Sequence, residues 1–488
     1  MKDIDRKDLK KEAIKGTFWK FSERISAQLV SVVVSVILAR ILIPEDYIVV
    51  GIVAIFFTFS DVIISGGFNT ALIQKKDADE LDYSSVLFLT MAVSAVIYLA
   101  LFFSAGFLAR LYKTDLLVPV LRVMGLTLFI NAYKSVLSAL VSSRLEFRKY
   151  FVSTIGGTLV SAVIGIVMAL RGFGPWALVA QQMSNSLIDT LILSISTKYK
   201  PLLKVSFERL KSLFRYGVKI YISSIVSTVY EQIKPLIVGI RYSTVDLAYY
   251  SKGESFPALL NYSISDTLSA VLFPVIAKVQ DDTEAVKNVT RKFMGTASFV
   301  VFPAMIGLFA IADSFVSAIL TDKWLPIVPY IRIFCFSYMF NIVQIGNLQA
   351  IKAIGRSDVV LKLEILKKSS YFVIIFCFIM LSSSPEVLAM STIATTIVAS
   401  LANSFPNRRL IGYRYREQVM DLLPNLVSSA IMGFVVYLMG RISMNSVLLM
   451  ILQILTGAVT YWLIAVISGN RNYSYMLETV RQMMGKKG

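Results

Sequence analysis

Eight basic side chains interrupt the apolar runs of this chain: Arg24, Arg122, Lys134, Lys219, Lys234, Arg332, Lys367 and Lys368. On insertion scales a cation at the centre of a membrane helix costs about 2.5–3.5 kcal/mol, so each needs a return. Guanidinium and ammonium groups in a water-poor setting are suited to gripping phosphate or another anion. Lys219, Lys367 and Lys368 fall near one end of their runs, where snorkelling to the interface is the ordinary reading. Arg24, Lys134 and Lys234 have no such exit.

The neighbours of these cations share their faces. Arg24 lies on one helical stripe with Gln28, Ser31 and Ser35. Ser224, Ser227 or Thr228, Glu231 and Lys234 form another, and Pro235 follows at once, which frees a carbonyl and bends a helix. A third carries Thr127, Asn131, Lys134 or Ser135, and Ser138. A polar face inside a membrane must look into a bundle or a wet cavity. Arg122 and Asn131 sit about 180° apart on an ideal helix, so both cannot line one cavity. Arg332 and Asn341 repeat that spacing, and one residue of each pair is expected to join helices instead.

Acidic residues intrude too: Asp61, Asp189, Glu231, Asp266 and Glu364. Glu231 and Lys234 are close enough on a helix to neutralise each other. Asp61 and Asp266 have no partner visible in the sequence. A carboxylate so placed can carry a proton or ligate Na⁺ through hard oxygens. Asp61, Glu231 and Asp266 are therefore the candidates for Na⁺ or H⁺ coupling, with no metal centre or organic cofactor expected. The candidate contacts for an anionic cargo are Arg24, Gln28, Arg122, Lys134, Lys234 and Arg332.

The elements that carry these residues follow from composition. Of 488 residues 56% are hydrophobic and only 16% charged, and the mean hydropathy is +0.69. Soluble domains are nearer 25% charged. The chain reads as an all-α polytopic membrane protein, which excludes a soluble enzyme, a nucleic-acid-binding module and a secreted disulfide scaffold. The net charge of +18 reads as topology and attraction to anionic membrane lipids. There is no histidine, so histidine triads, relays and zinc sites are excluded. Cys335 and Cys377 lie in apolar runs as packing residues.

A bilayer core takes about 20 mainly apolar residues per helix. That length predicts fourteen spans, near 17–40, 46–68, 83–109, 116–141, 150–170, 174–197, 215–240, 247–277, 293–320, 326–351, 359–381, 385–405, 421–440 and 444–467. Lys2 to Lys20 forms a charged lead-in, and Phe21–Leu42 is too long for the apolar core of a cleaved signal. With the N-terminus cytoplasmic, inner segments hold 33 Lys and Arg, and outer connections hold 8, Lys252 among them. By the positive-inside rule both termini are cytoplasmic.

Pro119, Arg122 and Asn131 match Pro329, Arg332 and Asn341 at an offset of 210 residues, as Pro175 and Leu178 match Pro385 and Leu388. Arg40 before Pro44-Glu45-Asp46-Tyr47 matches Arg241 before Val245-Asp246 only at a shorter offset, so an insertion separates them. Six spans per half give a parallel repeat about an axis along the membrane normal. The expected domains are a six-helix lobe at 1–212, a second at 213–417, and two appended helices with a cytoplasmic tail at 418–488. A repeat of this kind places a cargo cleft at the lobe interface.

The first 80 residues carry a recognisable order. A basic arm leads to Phe18-Trp19-Lys20-Phe21, then to Leu38-Ala39-Arg40-Ile41-Leu42-Ile43-Pro44-Glu45-Asp46-Tyr47, then Asp61, Gly66 and Gly67, and Ala71-Leu72-Ile73-Gln74-Lys75-Lys76. With Arg144-Leu145-Glu146-Phe147-Arg148 and the six-plus-six-plus-two plan, this resembles the polysaccharide and O-antigen flippases of the MOP superfamily, teichuronic-acid-type exporters included. The resemblance implies a transporter that moves a polyprenyl-pyrophosphate-linked oligosaccharide from the cytoplasmic to the outer leaflet of a bacterial inner membrane. It also implies Arg24 as a headgroup contact, and a polysaccharide polymerase and chain-length regulator as possible partners.

Three rivals were weighed. A MATE-like cation-coupled drug antiporter of the same fold should favour an acidic pocket, whereas the basic residues in the spans here outnumber the acidic ones. A membrane glycosyltransferase or polymerase needs an extended outer loop, which no outer connection supplies. A facilitator-type sugar transporter carries an acidic and arginine-rich signature between its second and third spans, where this chain has Gly66-Gly67-Phe68-Asn69-Thr70.

Overall fold

The computed structural model describes residues 6–483 apart from 66, 76, 382 and 383. Gly66 and Lys76 of the motif above thus lie outside the described residues, as do the side chains of Lys219 and Asp266. The described chain is helical and divides into two units, Met1–Ala248 and Tyr249–Gly488.

The first unit holds α1 (Arg6–Ile41), α2 (Pro44–Ser65), α3 (Phe68–Gln74), α4 (Glu80–Leu111), α5 (Leu117–Gly125), α6 (Thr127–Ser143), α7 (Phe147–Leu170), α8 (Pro175–Thr197) and α9 (Phe207–Arg241). Local chemistry sets several of these ends. Asp79 caps α4 in a capping box with Asp82, Ser206 caps α9, and Pro175 opens α8 where its missing N–H costs nothing. One face of α7 reads Ser153, Gly157, Ser161, Gly165 and Ala169, all buried and four residues apart. Small residues at that spacing let backbones approach without bulk between them. A methyl group on Gly157 would come within 2.8 Å of Asp189 Cβ, and one on Gly165 within 2.8 Å of Gln181 Cβ, both on α8.

The seventh expected span, α9, packs on α2, α3 and α4 and belongs to this first unit. Its closest approach is Gly217 against Gly67. A methyl on Gly217 would meet the Gly67 carbonyl oxygen at 2.8 Å, and Gly67 itself has φ +87°. Glycine is required on both counts.

The second unit holds α10 (Thr244–Ala277, its first residues in the first unit), α11 (Thr283–Ile319), a 3-10 turn (Asp322–Ile327), α12 (Val328–Met339), α13 (Asn341–Ala353), α14 (Ser357–Leu381), α15 (Pro385–Ser404), α16 (Asn407–Leu410), α17 (Tyr415–Met439), α18 (Ser446–Ile467) and α19 (Arg471–Met483). Here α11 is the hub, touching α12, α13, α17, α18 and α19. Lys287 pairs with Glu417 at 2.7 Å, and Arg291 grips Asp421 through two bonds of 2.7 and 2.8 Å. A buried amide network lies nearby, with Asn347 donating to Gln418 at 2.9 Å and Asn407 to Asn347 at 2.7 Å. The appended helix α17 is thereby fastened to the repeat-type helices by ion pairs and side-chain hydrogen bonds.

Ten stretches among the described residues are long and apolar enough to cross a membrane. Phe103, Ile195, Leu381 and Ile467 are 78, 74, 81 and 82% exposed, an apolar outer surface that suits lipid and not water. The chain is a multi-pass membrane protein. The expected spans 174–197, 215–240, 247–277 and 359–381 are helical but are not among the ten. In α8 the interruption is Gln181, Gln182, Asn185 and Asp189, and in α14 it is Lys362, Glu364, Lys367 and Lys368. The spans near 116–141 and 326–351 are each broken once, at Leu126 between α5 and α6 and at Phe340 between α12 and α13.

Candidate functional site

Two groups of candidate residues stand out in the first unit. Arg24, Gln28 and Ser31 lie exposed on α1, with Ser35 half-buried one turn on. Arg24 is thus an exposed cation on the first apolar helix. The second group is a polar seam joining α6 to α2, α3 and α8. Asn131 donates to Asp61 Oδ1 at 3.2 Å, Lys134 Nζ lies 2.5 Å from Asp189 Oδ2, and Ser135 donates to Asn69 at 2.9 Å. Asn131 and Lys134 are three apart on α6, so one helix face serves both contacts.

Two expectations change here. Asp61, which shows no partner in the sequence, is hydrogen-bonded to Asn131. Lys134 is held by a buried carboxylate, Asp189 being 3% exposed while the Lys134 side chain is 32% exposed. Asp189 Oδ1 and Asn185 Oδ1, one turn apart, are buried without a hydrogen-bond partner. Lys134 thus balances a charge that would otherwise be stranded, and keeps part of its surface open.

Arg122 sits on α5 with its guanidinium 4.2 Å from the centre of the Phe102 ring on α4. Arg332 on α12 pairs with Asp313 on α11 at 2.5 Å and lies 5.6 Å over Phe309. Both arginines therefore stack on an aromatic ring of the preceding long helix, a cation–π contact worth about 0.5–2 kcal/mol. Their helix-mates turn elsewhere, as the spacing requires. Asn131 reaches α2, and Asn341 donates to Asn261 on α10 at 3.2 Å.

On α9, Lys234 is buried, 4% exposed, while Glu231 is exposed. The two share a stripe in sequence yet differ in surroundings. Lys367 follows the local reading, bonded to Glu364 at 2.5 Å. The structure does not bring Arg24, Lys134 and Lys234 together by any contact it describes.

Three charged positions were missed. Asp313 lies in the apolar run of α11, a lone acid that the sequence displays plainly and that turns out to hold Arg332. Glu254, on α10, accepts from the Tyr338 hydroxyl at 2.5 Å. Lys252, counted with the outer connections, is instead buried two turns into α10, near the Trp324 and Phe256 rings at 5.8 and 5.9 Å. The expected span at 247–277 already includes Lys252, and α10 from Thr244 places it two turns into the helix.

Among the described residues no three His, Cys, Asp or Glu side chains are grouped to hold a metal ion. Outside the apolar spans, Arg209 at the start of α9 bonds Asp79 and lies 3.4 Å from Asp82, which Lys75 also binds at 2.6 Å. The Arg209 guanidinium holds the Asp79 carboxyl below its ordinary range.

Comparison with known proteins places these contacts in context. The profile of a family described as polysaccharide biosynthesis protein matches residues 37–329. The lipopolysaccharide biosynthesis protein WzxC of Escherichia coli (strain K12) is 23% identical over 440 residues, covering 88% of this chain and 89% of the relative. Among solved structures, the lipid II flippase MurJ in an inward closed conformation superposes with a TM-score of 0.74 at 15% identity, over 92% of this chain and 98% of that one. An inward-facing multidrug resistance MATE family transporter of the MOP superfamily gives 0.61 at 14% identity, over 79% and 94%. Identity this low speaks for the fold alone.

Proposed function

The chain belongs to the polysaccharide biosynthesis protein family, and we propose on that premise that it is a flippase for a polyprenyl-pyrophosphate-linked oligosaccharide. It carries this cargo from the cytoplasmic to the outer leaflet of a bacterial inner membrane, by alternating access, for surface polysaccharide synthesis. The name of the E. coli relative supports the cargo class. The observation that carries the reading is the exposed stripe Arg24, Gln28, Ser31 on the first apolar helix. An arginine exposed there can grip a pyrophosphate, whose charges match its paired N–H donors.

The finer plan belongs to the same proposal: fourteen spans, both termini cytoplasmic, and lobes at 1–212 and 213–417 with two helices appended. Several contacts support the repeat. The helix pairs α1/α2 and α9/α10 meet at turns 200 residues apart, ending at Ile41 and Arg241 and restarting at Pro44 and Thr244. Asp61 and Asn261 are also 200 residues apart, and each accepts from the matching asparagine, Asn131 or Asn341, at 3.2 Å. The fourth and tenth spans each break once and each carry an arginine on a ring of the preceding long helix. Of the cation candidates, Arg24 is assigned to cargo. Lys134 serves both the Asp189 charge and the cargo, while Arg122 and Arg332 are assigned to the fold. Asp61, bonded to Asn131, is a weaker coupling candidate than Glu231, which is exposed on α9. A polymerase and chain-length regulator would take the cargo on from the outer face.

The test is complementation of a strain lacking its own exporter, with surface polysaccharide and membrane abundance measured together. Restored polysaccharide supports the reading. An abundant chain that restores none, in hosts of several glycan types, overturns it.

A further inference from the structure

The two appended helices have no role in the repeat, yet with α11 they enclose a cavity of about 390 Å³ at the end that the proposed orientation turns outward. Its floor is a buried bond from Ser314 on α11 to Gln453 on α18, whose amide in turn donates to Val436 O of α17 at 3.0 Å. Three helices are pinned at that point, so the cavity has a fixed base. One wall is Asp313 and Tyr437, and Arg332 holds both, the first by an ion pair at 2.5 Å and the second with its guanidinium 5.9 Å over the ring. Around them stand Ser317, Arg441 and Ser446. Among the described residues, the side-chain polar atoms of Ser317, Tyr437, Arg441 and Ser446 make no hydrogen bond within the chain.

The chemistry of that wall selects its ligand. A carboxylate accepts only, a guanidinium donates only, and hydroxyls do both. A phosphate would meet the Asp313 carboxylate, and a cation would meet Arg441. A neutral polyol satisfies all of them, because each sugar hydroxyl both gives and takes a hydrogen bond. Volumes of roughly 300–1,000 Å³ are usual for small-molecule sites, and this one stands at the small end. We propose that the cavity between α11, α17 and α18 is a saccharide-binding site for one neutral sugar residue on the outer side. As to the source of that sugar the proposal rests on the flippase reading: it is part of the exported glycan. Arg332 is a positioning residue here, setting Asp313 and Tyr437.

Saturation-transfer NMR on the full chain in nanodiscs tests the site without requiring transport. The probes are the methyl glycosides of glucose, galactose and N-acetylglucosamine, with inorganic phosphate as a competitor. Wild type should give a sugar signal that phosphate does not displace. Ser317→Phe, which fills the cavity, should lower it at least fivefold, and Arg441→Glu on the exposed connection should lower it as well. Ile195→Ala, on the apolar outer surface of α8, should leave it unchanged. No signal from any glycoside, displacement by phosphate, or an undiminished signal in both cavity variants would each overturn the site. Wild-type export is measured separately, so a chain that binds sugar but exports nothing counts against the flippase reading and not against the cavity.

Discussion

Asn131 donates its side-chain amide to the carboxylate of Asp61 at 3.2 Å, joining α6 to α2. In the second unit Asn341 makes the same kind of bond to Asn261, at the same distance, joining α13 to α10. The acceptor is charged in one unit and neutral in the other. Unequal consequences follow from breaking the two. Asn131→Leu should cost more stability than Asn341→Leu, since it strands a carboxylate, and a lost hydrogen bond to a buried polar group costs about 1–3 kcal/mol. Asp61→Asn should be tolerated, as it gives the first unit the acceptor of the second. Melting in detergent checks this order, and equal losses would deny that the contacts correspond.

The Lys134–Asp189 pair separates scaffold from cargo contact. Lys134→Gln alone should destabilise by about 3–5 kcal/mol, because it leaves Asp189 buried with no counter-charge. Lys134→Met with Asp189→Leu should recover most of that loss. If the recovered double variant also exports glycan at the wild-type rate, Lys134 has no part in handling the cargo. The proposal expects a folded carrier with export reduced severalfold.

Helix placement was legible in the sequence, because apolar length and charge asymmetry are local properties. Fourteen expected intervals fall on helix, and the split at Arg40 and Arg241 marks a real pair of turns. The partners of buried charges were not legible. Arg332 finds Asp313 nineteen residues back on another helix, and Lys134 finds Asp189 fifty-five residues on, so only packing decides them. Lys252 shows the same limit in depth, since its place near the start of an apolar run does not reveal that packing buries it beside Trp324 and Phe256. The break at Leu126 follows Gly125, a residue that weakens a helix, whereas the break at Phe340 has no proline or glycine beside it and nothing in the local sequence announces it.

Gly217→Ala should loosen α9 from α3, because the added methyl would sit 2.8 Å from the Gly67 carbonyl oxygen. Overpacking of this kind costs about 1–3 kcal/mol. Proteolysis at the 198–206 connection would report it, with faster cleavage than wild type. Unchanged cleavage would mean that the helices part freely at this crossing.

The Arg209–Asp79 contact should show its pH dependence only in acid. The carboxyl is held below its ordinary range by Arg209, so its contribution is full above the unfolded value, near pH 4. That contribution is lost as pH falls further through the folded value. Melting temperatures of wild type and Asp79→Asn should therefore differ by a constant amount from pH 8 to 5 and converge below about pH 4. Convergence already at pH 6 would contradict the assignment.

Arg24→Ala should abolish glycan export at equal membrane abundance, and Arg24→Lys should restore part of it. Lysine keeps the charge but loses the paired N–H donors that match a pyrophosphate. Wild-type export from the Ala variant would make Arg24 a packing or snorkelling residue.

The most direct measurement is translocation itself, in proteoliposomes carrying the purified chain and an asymmetrically loaded polyprenyl-pyrophosphate-linked oligosaccharide, read by accessibility of the sugar to an external lectin. The expected result is a time-dependent transfer between leaflets that the wild-type chain supports and Arg24→Ala does not. Transfer no faster than in protein-free liposomes, with a cationic dye moved instead, would contradict the flippase assignment and favour a drug antiporter.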